Sequence, residues 1–179
     1  MNKRSIVAGT AGLPLAIILG ISISTAHADV NAGLSSDTGS LVSGTVALDL
    51  LKDQASLFEA PLPQGVKWND SLGIEEPTDG VSVRVEPSFV QSTMATYWLC
   101  AWEDSLVSTT NMGDVVGAEK ALSMVDSFTS LKVYQENFID PNAGWRRTVA
   151  DPALHGDLAG VKAELASSCT LYFEEQPAP

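Results

Sequence analysis

The sequence predicts a mainly α-helical fold: one small domain of about four helices with a long irregular connection, room for one short β segment, and a disulfide staple. Three observations carry this reading. Apolar residues recur at spacings of three and four in several separate segments. One stretch, EAPLPQGVKWNDSLGIEEPTDG, holds three prolines and three glycines, which no regular element tolerates internally. The chain has two cysteines, Cys100 and Cys169.

The N-terminus sets the compartment. Lys3 and Arg4 precede an uncharged apolar run from Ile6 to Ile23, and Ala26-His27-Ala28 follows with the small-x-small pattern that signal peptidases cut. Residues 1–28 therefore read as a signal peptide, with an uncleaved membrane anchor as the competing reading. Both send the rest of the chain across the membrane, so the expected location is extracytoplasmic, secreted or anchored at the outer face of the cytoplasmic membrane. Neither a lipobox-like cysteine nor an LPxTG-like sorting signal is present. Residues 29–45, rich in Ser, Gly, Thr and Asp, read as a flexible stalk.

A single folded domain is expected over 46–173. The first helix begins near Val46 and places Ala47, Leu50, Leu51, Leu57 and Phe58 on one face. The Pro/Gly-rich connection follows, with Trp68 as its peg into the core. VSVRVEP alternates Val81, Val83 and Val85 with polar residues, the period of a short half-buried strand, although the sequence shows no partner for it. Pro87 suits a first helical turn, and Val90, Met94, Tyr97, Trp98, Ala101, Trp102 and Leu106 then form the buried stripe of an amphipathic helix.

Asp114 is placed to cap a further helix through Val115, Ala118, Leu122, Val125 and Phe128, paired antiparallel with the one before. Asp140-Pro141 and Asp151-Pro152 read as helix starts, giving a short helix around Trp145 to Val149 and a final one from about Asp157 to Cys169. Residues 174–179 read as a frayed, disordered tail. GDVVGAEKAL from Gly113 and GDLAGVKAEL from Gly156 echo one another, and two copies are too few for a solenoid, so each is read as an independent capped start.

In an oxidising compartment an even pair of cysteines most simply forms a disulfide. Joining Cys100 to Cys169 closes a loop of about seventy residues, which loop-closure entropy makes worth roughly 4 kcal/mol.

Charge and motifs narrow the function. The chain carries a formal charge of −12; without Lys3 and Arg4 eight basic residues face 22 acidic ones, a formal −14. Such a domain is repelled by nucleic acid and by anionic membrane surfaces, so neither is an expected partner, and membrane contact is limited to the N-terminal segment if it stays uncleaved. The phosphate-loop, dinucleotide, serine-hydrolase, zinc-protease and C-x-x-C patterns are all lacking. His155 is the one imidazole beyond the signal peptide and, just before a helix start, reads as solvent-facing; with Asp157 it falls short of a metal site. Glu103-Asp104, Glu75-Glu76 and Glu174-Glu175 are acidic pairs; adjacent acids diverge on a helix, so Glu103-Asp104 reads as a solvated face. Asn69-Asp70-Ser71 fits the N-glycosylation pattern.

No catalytic residue, metal or cofactor is assigned. The expected function is an exported, non-enzymatic envelope or secreted protein that binds another protein or a small ligand through a surface around Trp102, Trp145, Arg146 and Arg147. The alternatives are an extracytoplasmic hydrolase using carboxylates and a structural cell-surface spacer.

Overall fold

The computed structural model describes residues 40–71, 73 and 83–175. The signal-peptide and anchor readings, most of the predicted stalk, Glu75-Glu76, Val81 and residues 176–179 lie outside them. The fold is mainly helical, as predicted.

The chain enters through a two-residue strand, β1 (Val42–Ser43), and passes directly into α1 (Gly44–Leu57). Ser43 starts the helix by accepting a 3.4 Å hydrogen bond from the Val46 N–H. β1 pairs antiparallel with β2 (Arg84–Val85), Val42 opposite Val85, and the Gly44 N–H continues the pairing to the Val83 carbonyl. The missing partner of the valine-rich segment thus lies in 42–44, within the segment read as stalk. On α1, Ala47 and Leu51 are buried as expected, but Leu57 is 75% exposed, because the helix ends there and the chain turns extended at Phe58.

The connection from Phe58 to Ser71 is irregular yet stitched to the core. The Pro61 carbonyl accepts from both Trp98 Nε1 (2.8 Å) and Trp102 Nε1 (2.9 Å), and the Lys67 carbonyl accepts from the Tyr97 hydroxyl (2.9 Å). Prolines donate nothing but leave strong carbonyl acceptors, which is how buried indoles can be satisfied by a loop. Trp68 is the expected peg, packed between Phe58 and Tyr97.

α2 (Pro87–Met112) is the axis of the domain. Pro87 occupies its first turn, and Gly113, in the left-handed region at φ 73°, ends it. Every residue from Tyr97 to Glu103 is buried, nearly two full turns, so this stretch of the helix is enclosed on all sides and not amphipathic as its spacing suggested. α3 (Val115–Ser127) folds back along it: Thr109 lies against Gly117, Lys120 sits over the Trp102 ring and Phe128 stacks on Trp98, so positions descend on one helix as they rise on the other. Asp114 caps α3 through a 3.0 Å bond from the Gly117 N–H. Val115, expected on the inner face, is exposed in the first turn.

A 3-10 turn (Phe128–Ser130), α4 (Lys132–Asn137) and a second tight turn (Pro141–Ala143) lead to a continuous helical path through Gly144 to Leu154. Asp151-Pro152 does not start a helix there. The path widens to a π turn over Arg146–Ala150, where the Asp151 N–H bonds the Arg146 carbonyl, and continues as α5 (Asp151–Leu154). Pro152 has no N–H for the Thr148 carbonyl and its ring crowds that oxygen, so the helix widens rather than breaks. The Thr148 carbonyl is met instead by Gly160, where an added Cβ would stand 2.2 Å from it.

α6 (Ala159–Ser168) starts after Gly156, at φ 86°, with Asp157 accepting from the Ala159 N–H at 2.9 Å. The echo between 113 and 156 is therefore a shared turn chemistry. Cys169 breaks the helix and is joined to Cys100, the predicted disulfide, with the two Cα atoms 5.6 Å apart. α7 (Thr170–Glu175) follows, so Glu174 and Glu175 are helical and not frayed; Tyr172 holds the segment down by donating to Asp104 (3.1 Å) and packing edge-on against Tyr97.

Candidate functional site

Two places on this framework carry chemistry. The first is a shallow depression of about 310 Å³ between α4 and the 141–143 turn, lined by Thr129, Tyr134, Gln135, Phe138, Asp140 and Arg146, with Ala143 at its edge. Its floor is apolar: the Tyr134 and Phe138 rings stack at 5.3 Å and both meet Phe128 behind them. Its polar atoms are held in place. Asp140 accepts from the Tyr134 hydroxyl and, through its other oxygen, from the Trp145 backbone N–H at 3.1 Å. Arg146 bridges Asp126 (3.0 Å) and Asp151 (3.1 Å) while remaining partly exposed.

Asn142 and Ala143 both lie in the left-handed region, at φ 62° and 50°. For Asn this is tolerated; for Ala it costs about 1–2 kcal/mol, a strain that concentrates at functional surfaces. Ile139, 78% exposed, stands next in the chain to the lining residues Phe138 and Asp140.

The second place is an acid pair, one member fully buried and the other partly buried. Glu103, on α2, is 0% exposed, and neither of its oxygens has a hydrogen-bond partner among the described residues. Burial, and then the nearby Glu164 of α6, holds its carboxyl well above the usual carboxylate range. Glu164 accepts a 2.7 Å bond from Trp145 Nε1; burial pushes its carboxyl up to about 7 while that bond opposes the rise. An unpaired buried carboxylate is strongly disfavoured, so the fold favours the protonated form of Glu103. Burial, the hydrogen bond to Asp140 and the charges of Asp140 and Glu164 likewise push the Tyr134 phenol upward.

No protein-family model matches the chain, and neither a curated protein nor a solved structure matches it.

The four residues expected to form a recognition surface do not meet on one. Trp102 and Trp145 are each 2% exposed, because their rings fill the core and their indole nitrogens are spent on Pro61 and Glu164. Arg147 is exposed beyond the depression's lining, and Arg146 is the one of the four that borders it. Glu103 is not on a solvated face. Leu99 and Leu106, one turn either side of it, are both buried, and that spacing was the available signal. His155 is exposed, its Nδ1 facing the Asp151 carbonyl at 2.8 Å. The Asn69 side chain is turned inward, its Oδ1 accepting from the Ser71 N–H and its amide nitrogen buried, so the sequon offers no accessible acceptor. Tyr134, Phe138 and Asp140 carried no motif, because their proximity to Arg146 depends on the turn at Asn142.

Among the described residues no group of three or more His, Cys, Asp or Glu side chains is arranged to hold a metal ion, and no helix is long and apolar enough to cross a membrane. The disulfide is consistent with an extracytoplasmic location.

Proposed function

We propose that the chain is an exported, non-enzymatic binding module of the cell envelope or the secreted fraction, and that it binds a partner protein or a small ligand at the depression between α4 and the 141–143 turn. One observation carries the reading: a stacked aromatic floor and an oriented Arg–Asp rim meet at a backbone turn held in a strained conformation. The rim is fixed by Asp126, Asp140 and Asp151, so little side-chain entropy is lost when a ligand settles. The burial of Glu103 supports binding over a carboxylate hydrolase, since that carboxyl is fully enclosed by the core and meets no substrate. A pure spacer has no need of the strained turn.

A photo-activated cross-linking side chain placed at Gln135, expressed in the native host, tests this. Gln135 lines the depression and is exposed, and Lys52 on α1 is an exposed control. One discrete adduct is expected from position 135, none from position 52, and loss of that adduct with Phe138→Glu in a protein whose circular dichroism is unchanged. Equal capture at both positions, or capture indifferent to Phe138→Glu, refutes the assignment.

A further inference from the structure

The acid pair sits where it controls a movable element. α6 is bounded by the left-handed Gly156 at one end and by the break at Cys169 at the other, and its one fully buried apolar residue is Val161, with Leu158 and Leu165 partly covered. Helices held by so few buried contacts open at low free-energy cost. Between those anchors the contact of α6 with α2 includes Glu164 facing Glu103, and Trp145 Nε1 ties Glu164 to the π turn. The pairing Cys100–Cys169 and the facing of Glu103 and Glu164 show the two helices antiparallel, Cys100 lying three residues before Glu103 and Cys169 five residues after Glu164.

We propose that Glu103 and Glu164 form a proton-held latch: α6 lies closed on α2 while the pair carries its protons, and swings away about the Cys169 tether when both carboxyls ionise. Among the described residues no cation faces the pair to offset two charges. Tyr134 of α4 faces Glu164 but is bound to Asp140; Lys120 of α3 lies over Trp102; Arg146 of the π turn is engaged by Asp126 and Asp151; Tyr172 of α7 is bound to Asp104. On α1, Lys52, Asp49 and Asp53 are exposed to solvent, and on α6 itself so is Lys162. Two like charges side by side, one of them on the fully buried Glu103, are strongly unfavourable, and separating α6 from α2 exposes Glu103 to solvent.

The direction in pH follows. Glu164 has its carboxyl raised from near 4.5 to about 7 in the folded chain, and burial raises that of Glu103 as well. A group whose folded value is raised contributes its stability fully below the unfolded value and loses it as pH rises through the folded one. The closed form is therefore favoured below about pH 5, and opening increases as pH passes about 7. The latch stands independently of what the depression binds.

Native-state hydrogen exchange on the oxidised protein tests it, comparing protection at about pH 5.5 and about pH 8 after correction for intrinsic exchange. In the unmodified protein, amides of Ala159–Ser168 are expected to lose about tenfold or more protection at the higher pH relative to amides of Val115–Ser127. Glu103→Gln with Glu164→Gln, which keeps shape and an acceptor for Trp145, should remove that difference. Equal change in both helices of the unmodified protein, or an undiminished α6 response in the double variant, overturns the proposal. The first arm needs no substitution, so a variant that fails to fold leaves the test decisive.

Discussion

Replacing Cys100 and Cys169 together with alanine is expected to destabilise the domain by about 4 kcal/mol, read as a lower urea midpoint with a steeper slope, because the uncrosslinked unfolded chain exposes more surface. The bridge closes 69 residues of sequence, spanning α3, α4, the π turn and α6, so its loss returns a large loop entropy to the unfolded chain. Both sulfurs are buried among Tyr97, Ala101 and Tyr172, so the substitution also thins a packed cluster. For a domain of this size the melting temperature should fall by roughly 15 °C. A loss under about 1 kcal/mol would mean that α6 and α7 are held mainly by packing, against the sparse anchoring of α6.

Trp98→Ala is expected to cost about 3–5 kcal/mol by the same measurement, because the ring is wholly buried and in contact with Phe58, Trp102 and Phe128. The cost should be that of a cavity and not of an orphaned acceptor. The Pro61 carbonyl keeps its 2.9 Å bond from Trp102 when Trp98 Nε1 is removed. Trp98→Phe should therefore recover most of the loss, since it restores ring volume without the N–H. If Trp98→Phe is as damaging as Trp98→Ala, the bond to Pro61 outweighs the packing, and the description of this core must change.

The helical class, the antiparallel α2–α3 pair, its Asp114 cap and the disulfide were legible in the sequence, because each depends on local spacing or on a pair with no alternative. What was not legible is set by tertiary contact. The pairing of Val85 with Val42 spans the whole first helix and loop, and two-residue strands leave no period to read. Pro152 looked like a start because a proline after an acid usually is one; the helix instead accommodated it by widening, with Gly160 covering the freed carbonyl. Trp102 and Trp145 looked like recognition rings because aromatics beside charges suit surfaces. Their indoles found acceptors in the Pro61 carbonyl and the Glu164 carboxyl, which no neighbouring residue announces. Glu103 defied expectation most, since burying a carboxyl on an enclosed stretch of helix is costly and favours its protonated form.

Intact mass of the protein isolated from its host, with thiols blocked before and after reduction, tests most directly that this is an exported, cross-linked module. The account predicts a species beginning at Asp29 that takes up no blocking reagent until it is reduced, and then takes up two equivalents, one each at Cys100 and Cys169. A full-length species whose two thiols are blocked without reduction would contradict it, placing the chain in a reducing compartment or on the membrane and leaving α6 untethered.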